Sequence, residues 1–315
     1  MTHSDEAAGI HQIWSGLGLP GIIDVHTHFM PKSVMDKVWN YFDSAGPLVG
    51  RPWPINYRTD EAHRVATLRA FGVRRFTSLV YPHKPEMATW LNQWSSQFAT
   101  ETVDCLATAT FYPEPGATEY VAAAIDSGTR VFKAHIQVGD YDPNDPLLDG
   151  VWGAIEDSGT PVVIHCGSGP QPGRFTGPDP VRRLLRRHPR LRLIIAHMGM
   201  PEYGEFLDIC LDSEAVHLDT TMAFTAFIDE SMPFPAEHEP RLRAAGERIV
   251  FGSDFPNIPY GYLDALRAVT GLPGVDDAWL RDVLHDNAAR LFAVPLTSPV
   301  TGPAPHPRKA GDRDL

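Results

Sequence analysis

The chain reads as an α/β protein built as a (β/α)8 barrel, and three observations predict it. Eight short β-rich runs recur along its length, at 21–26, 74–80, 103–110, 130–136, 161–166, 191–197, 215–219 and 248–253, with helical patterns between them. The 315 residues, 43% of them hydrophobic, exceed the about 250 that such a barrel takes. Neither G-x-G-x-x-G nor G-x-x-x-x-G-K-S/T follows the first run, which argues against the rival class, a doubly wound open sheet.

The elements follow in order. Ile22, Ile23 and Val25 make the first strand. Val34, Met35, Val38, Trp39 and Phe42 recur after it at helical spacing. A second helix starts at Thr59, before Asp60 and Glu61, and closes at Gly72. Met87, Trp90, Leu91, Trp94 and Phe98 form the stripe that follows the second strand. Leu147, Leu148, Val151, Trp152 and Ile155 form another, stopped by Gly159, a suitable residue for the left-handed turn after a helix. Pro180–His188 and Pro201–Asp212 supply the helices after the fifth and sixth strands. No composition break divides the chain. It reads as one barrel domain over 21–295, preceded by a flanking segment, 1–20, and followed by a disordered Pro-rich tail, 296–315.

Composition excludes several classes of function. The net charge of −12 argues against a protein that grips nucleic acid by its phosphates. No uncharged apolar run reaches the roughly 18 residues of a membrane span. The first residues (Met1, Thr2, His3, Ser4, Asp5, Glu6) lack the basic-then-apolar order of a signal peptide. The three cysteines, Cys105, Cys166 and Cys210, are too few and too scattered for a disulfide framework, so a cytoplasmic location is expected.

His26 and His28 flank a single threonine at the end of the first strand. Residues two apart in a strand point to one face, so both imidazoles aim at one place. Barrel enzymes work at the C-terminal ends of their strands. There the fifth run, Pro161-Val-Val-Ile-His165, ends in a histidine, and the sixth, Leu193-Ile-Ile-Ala-His197, in another. The eighth, Ile249-Val-Phe-Gly-Ser-Asp254, ends in an aspartate. Three histidines and one carboxylate with an open position for water make a catalytic zinc-type shell. His26, His28, His165 and Asp254 are the expected ligands of one divalent metal, zinc first, with manganese compatible with the same donors. His197 is either a fifth ligand or, as preferred here, the group that hydrogen-bonds the substrate oxygen. Asp254 has a second task available, carrying the water proton to the leaving group.

At these residues the chain resembles the amidohydrolase superfamily, in the amidohydrolase-related branch that includes aminocarboxymuconate-semialdehyde decarboxylase. The resemblance rests on Asp24-Val-His26-Thr-His28-Phe-Met-Pro31, Val163-Ile-His165, Ala196-His197-Met-Gly199, Gly252-Ser-Asp254-Phe-Pro256 and a closing-helix run, Asn287-Ala-Ala-Arg-Leu-Phe292. It spans 21–293 and implies a TIM barrel of the metal-dependent hydrolase type. The family's ligands fall on His26, His28, His165 and Asp254, and its sixth-strand catalytic histidine on His197. By resemblance a homodimer is expected.

Lys133 and His135 lie two apart on the fourth strand and face the interior with Val131, while Phe132 and Ala134 face the helices. Either binds an anionic or carbonyl group of the substrate, or Lys133 is a buried lysine paired with an acid. In some members of the superfamily this lysine is carbamylated and bridges two metals. Asp24 shares the parity of His26 and either orients an imidazole or makes a simple structural hydrogen bond. Arg174, in the loop Cys166–Arg174, and Arg51 and Arg58, in the first long loop, are candidate carboxylate clamps or ordinary surface arginines. His83 and Lys84, after the second strand, and Asn257 and Tyr260, after Asp254, are candidate substrate contacts. Cys166, opposite in parity to His165, is expected to be packed.

The function expected is hydrolysis: a metal-bound hydroxide attacks the carbonyl carbon of a small amide, lactone or related substrate, and His197 steadies the oxyanion. The alternative is nonoxidative decarboxylation of an unsaturated or aromatic acid. The partner expected is a small, carboxylate-bearing molecule, with no nucleic acid and no membrane.

Overall fold

The computed structural model describes residues 3–46 and 50–296. Eight parallel strands stand in sequence order: β1 (Ile22–Asp24), β2 (Val73–Thr77), β3 in two segments (Cys105–Leu106 and Thr108–Thr110), β4 (Val131–His135), β5 (Val162–His165), β6 (Leu193–Ile195), β7 (Val216–Asp219) and β8 (Ile249–Val250). Ala107 interrupts β3, and its carbonyl accepts from Arg130 N at 2.7 Å, which carries the pairing on to β4. The barrel closes between β8 and β1. Val25 N donates to Phe251 O (3.0 Å), Asp254 N to His26 O (2.8 Å) and His28 N to Phe255 O (2.7 Å).

Several strands are shorter at their C-terminal ends than the apolar runs predict. His197 (φ 55°) and Asp254 (φ 69°) turn left-handed there, His197 beyond the last paired residue of β6 and Asp254 among the bonds that close the barrel. That conformation crowds Cβ against the carbonyl and costs roughly 1–2 kcal/mol per residue, a strain that clusters at functional sites. Both side chains thereby point into the mouth of the barrel.

Alternation sorts most strand residues as expected, but on β1 it breaks where the consecutive Val25 and His26 both face inward, and Asp24 turns instead to Ser253 and Tyr262. Ile23, Val25, Leu106, Val131, Val163, Ile194 and Val250 fill the lower interior. The closing helical segment, Asn287–Leu291, brings Ala288, Ala289 and the following Phe292 against them. Phe132, Ala134, Ile164 and Cys166 face outward and join the core beneath the helices.

That outer layer comprises α1 (His3–Gly16), α2 (Lys32–Ser44), α3 (Glu61–Ala70), α4 (Ala88–Glu101), α5 (Ala117–Asp126), α6 (Asp149–Ser158), α7 (Pro178–Arg187), α8 (Tyr203–Asp212) and α9 (Tyr262–Thr270), with short turns between β7 and β8. The cap of α3 is Asp60, which accepts from His63 N at 2.8 Å, one residue after the predicted start. Gly159 ends α6 at φ 67°, as its position predicts. Trp152 of α6 is fully buried and meets Phe111 edge-on at 4.9 Å.

The flanking segment is built into the fold through α1. Its buried Glu6 accepts from Tyr57 Oη (2.6 Å) and Leu263 N (3.2 Å). The predicted tail lies outside the described residues apart from Leu296. Among the described residues no helix is long and apolar enough to cross a membrane.

Candidate active site

The C-terminal ends of the strands open into a cavity of about 940 Å³. His26, His28, Lys133, His165, His197 and Asp254 form its polar floor. Its walls come from α2 and from the loop after β2.

His26 and His28 are oriented from behind. His26 Nδ1 lies 2.9 Å from Asp219 Oδ2, and His28 Nδ1 lies 2.7 Å from Leu79 O. A carbonyl or an ionised carboxylate can only accept, so both Nδ1 atoms carry the proton. Both Nε2 atoms therefore present lone pairs, and both face Asp254. Oδ1 of Asp254 lies 2.9 Å from His28 Nε2 and 3.9 Å from His26 Nε2. A proton on His28 Nε2 makes this 2.9 Å pair a charge-assisted hydrogen bond, and a bound metal ion takes that proton's place between the same two atoms. One donor atom from each of His26, His28 and Asp254 falls within 4.8 Å of the others. A tetrahedral ion at 2.0–2.1 Å spaces its ligands by roughly 3.4 Å, which the two observed separations bracket. The donors thus fit a divalent metal in type and in spacing. Burial, then Lys133, His28 and His165, holds His26 well below the usual histidine range, which keeps it neutral and able to ligate.

His165 stands apart from these three. Its Nε2 lies 3.1 Å from Gly169 O, so that nitrogen donates and only Nδ1 keeps a lone pair. Its ring stacks on His135 at 4.1 Å, a consequence of the β4–β5 register that pairs the two residues. Burial pulls it down to about 4. Among the four expected ligands, the structure clusters three and leaves His165 beside them.

His197 N donates to Asp219 Oδ1 (2.8 Å), and its Nδ1 faces Thr221 O at 3.3 Å. Its Nε2 is therefore an acceptor while the ring is neutral, the state favoured by burial and by neighbouring His165 and His26. His135 has the opposite arrangement. Val138 N donates to its Nδ1 (3.3 Å), which leaves Nε2 as an N–H donor.

Lys133 is fully buried with Nζ 3.4 Å from His26 Nε2, and no carboxylate pairs with it among the described residues. The buried lysine–acid pair considered for it is not formed. Burial pulls its amine down to about 8 against the opposing pull of Asp219 and Asp254.

Asp219 went unnoticed in the sequence. It closes the seventh apolar run, Val216-His-Leu-Asp219, as His165 and Asp254 close theirs, and that signal was available. One oxygen holds the His26 ring and the other the His197 backbone, so a single buried carboxylate sets both groups. The orienting role considered for Asp24 belongs to Asp219. Asp24 instead accepts from His26 N (3.1 Å), Ser253 Oγ (2.6 Å) and Tyr262 Oη (2.8 Å), and reaches no imidazole.

The remaining candidates divide. Asn257 lines the cavity with its Oδ1 held by Trp39 Nε1 at 3.1 Å, and His83 and Lys84 line the rim. Arg58 is a correction: it pairs with Asp43 at 2.8 Å on the surface, outside the cavity lining. Arg174 is another, exposed and stacked on Phe175 at 5.0 Å, also outside the lining. Arg51 pairs with Glu230 at 2.9 Å and lies over Phe227. Each of the three arginines has found a local partner, and so it does not extend toward the floor. Tyr260 does not line the cavity.

Comparison with known proteins agrees with this architecture. The model of the amidohydrolase family matches residues 23–294. An uncharacterized TIM-barrel protein from Bordetella bronchiseptica superposes with a TM-score of 0.70 at 19% identity, over 87% of this chain and 98% of that one. A 5-carboxyvanillate decarboxylase from Novosphingobium aromaticivorans, complexed with manganese and 4-hydroxy-3-methoxy-5-nitrobenzoic acid, gives 0.58 at 14% identity, over 88% and 97%. A probable 2-pyrone-4,6-dicarboxylic acid hydrolase from Acinetobacter baumannii, with citric acid bound, gives 0.56 at 14% identity, over 87% and 99%. At these identities the structural matches attest the barrel fold. Among curated proteins none matches the chain.

Proposed function

The chain belongs to the amidohydrolase family and is an enzyme of that family, and on this premise we propose that it is a metal-dependent hydrolase of a small carbonyl substrate. The observation that carries the reading is the convergence of His26, His28 and Asp254, whose donor atoms lie within 4.8 Å of one another in a buried floor. His26, His28 and Asp254 hold one divalent cation, with His165 joining through Nδ1. Zinc is the first choice, and the mixed nitrogen–oxygen set admits manganese. That cation supplies Lewis acidity toward the carbonyl and lowers the pKa of a water it binds.

The chain's own residues do the rest. Asp254 takes the proton of the attacking water and delivers it to the leaving nitrogen or oxygen. His135 Nε2–H donates to the carbonyl oxygen as charge gathers there. His197 Nε2, an acceptor in the neutral ring, takes a hydrogen bond from the attacking water and holds it in line with the carbonyl. Asp219 keeps His26 and His197 in the required tautomer and position.

A second reading, loss of carbon dioxide from an unsaturated or aromatic acid, is favoured by Lys133. A buried ammonium without a carboxylate partner among the described residues suits a substrate carboxylate on the floor.

The test is elemental analysis of protein made without added metal, followed by parallel assays of lactone, amide and ester panels and of carbon dioxide trapped from an acid panel. Hydrolysis that disappears with chelator and returns with zinc or manganese is expected. Carbon dioxide release without hydrolysis would establish the second reading instead. Absence of any divalent metal from fully folded protein would overturn both.

A further inference from the structure

The cavity is far more extensive than its polar floor. A volume of about 940 Å³ lies near the top of the 300–1,000 Å³ range that encloses drug-sized ligands, well beyond a single-ring acid. Above the floor the walls are apolar and aromatic: Tyr41 and Phe42 of α2, Met87, Trp90 of α4, and Met222. Six large apolar side chains are exposed among the described residues, and three of them, Tyr41 (47%), Trp90 (44%) and Val138 (39%), line this one cavity. Exposed aromatic surface gathered in one place marks a binding site more often than a chance cluster.

The rim above these walls is basic. Lys37 comes from α2 and Lys84 from the loop after β2, so two separate elements place a lysine at the mouth. Both are exposed, and neither forms an ion pair among the described residues. His83 shares this rim, its proton affinity reduced by burial and then by Lys84 and Lys37. Glu86 is the one acid that shares this rim. A cationic mouth on a chain of net charge −12 concentrates anions at the entrance and steers them inward.

We propose that the substrate is an elongated dianion that spans the cavity. Its reacting acyl or carboxyl group lies on the polar floor, a ring-containing apolar body lies against Tyr41, Met87 and Trp90, and a second carboxylate lies between Lys37 and Lys84. This deepens the functional reading above and rests on it for the floor alone. Lys37, Lys84 and Trp90 are specificity residues, and single-ring acids are poor ligands because they cannot reach both ends.

The experiment uses the full chain and three dicarboxylates of rising length, terephthalate, biphenyl-4,4′-dicarboxylate and stilbene-4,4′-dicarboxylate, each beside its monocarboxylate, in calorimetric titrations. Metal content is measured in the same preparations. Affinity is expected to rise at least tenfold from terephthalate to the longer dianions. The second carboxylate should matter for those longer ligands only. In a Lys37→Gln/Lys84→Gln variant the long dianions should lose about tenfold or more, while their monocarboxylates stay within about twofold. Trp90→Ala should weaken both long classes and leave terephthalate unchanged. These side chains are exposed, so the variants keep the core intact, and circular dichroism verifies it. Equal affinity across the series, or rim variants that bind the long dianions as wild type does, would overturn the proposal. Length and charge preference in a protein that holds no metal would uphold it and sink the metal-dependent reading, so the two failures are distinguishable.

Discussion

Replacing Asp219 with asparagine changes one oxygen to an NH2 group in a site where both oxygens accept. Oδ2 accepts from His26 Nδ1 at 2.9 Å, and Oδ1 accepts from His197 N at 2.8 Å and Thr221 N at 3.1 Å. The single oxygen of asparagine stays with the two backbone donors, which cannot move away. Its NH2 group then faces His26 Nδ1, donor against donor. The His26 ring relieves this by moving its proton to Nε2, which removes the lone pair aimed at Asp254. Loss of such an orienting partner lowers metal affinity about 10- to 100-fold, or roughly 1.4–2.7 kcal/mol. The assay is competition for zinc against a chromogenic chelator, with urea unfolding of the metal-free proteins alongside to separate binding from folding. A folded Asp219→Asn protein that binds zinc within twofold of wild type would refute the tautomer argument.

Two further predictions follow from the floor. The buried Lys133 amine titrates at about 8 in the folded chain against an ordinary 10.5, so the unfolded chain binds the extra proton between those values and stability rises with pH across that window. Below pH 8 the full penalty of roughly 3 kcal/mol is present, so Lys133→Met should stabilise the metal-free protein at pH 7 and lose that advantage by pH 10.5. Urea unfolding with chelator at both pH values measures it, and a destabilised variant at pH 7 would point to a carbamylated lysine instead. His165→Ala should weaken zinc binding by about tenfold, roughly 1.4 kcal/mol, and less than His28→Ala does, because His165 lies outside the three-donor cluster. Unaltered zinc affinity in that variant removes His165 from the ligand set.

Much of the barrel was legible because burial on two faces writes itself as short apolar runs, and polar residues that close such runs are conspicuous. His26, His28, His197 and Asp254 were found that way and do converge on one floor. Asp219 obeys the same rule at the end of β7 and escaped notice, since its role is to hold other residues rather than to face the cavity. The direction of an imidazole is a different kind of fact. His165 lies on the expected face, yet its Nε2 is turned to Gly169 by a local contact that no periodicity encodes. Arg58 and Arg174 failed for a related reason: the path of a loop, and the nearest acid or ring along it, decides where a long side chain ends. The stripe of α2 announced a helix, but nothing in its spacing announced that Tyr41 and Lys37 would overhang the mouth.

The apolar layer of Val131, Val163, Ile194 and Val250, plugged by Ala288, Ala289 and Phe292, leaves the barrel with one open end. The reaction chamber is therefore a blind alley. Whatever forms on its floor must depart past Trp90 and Lys37, along the route by which the next molecule arrives. Arrival and departure share one doorway in such a chamber, so under the proposed binding mode a product that keeps its rim carboxylate competes directly with fresh substrate.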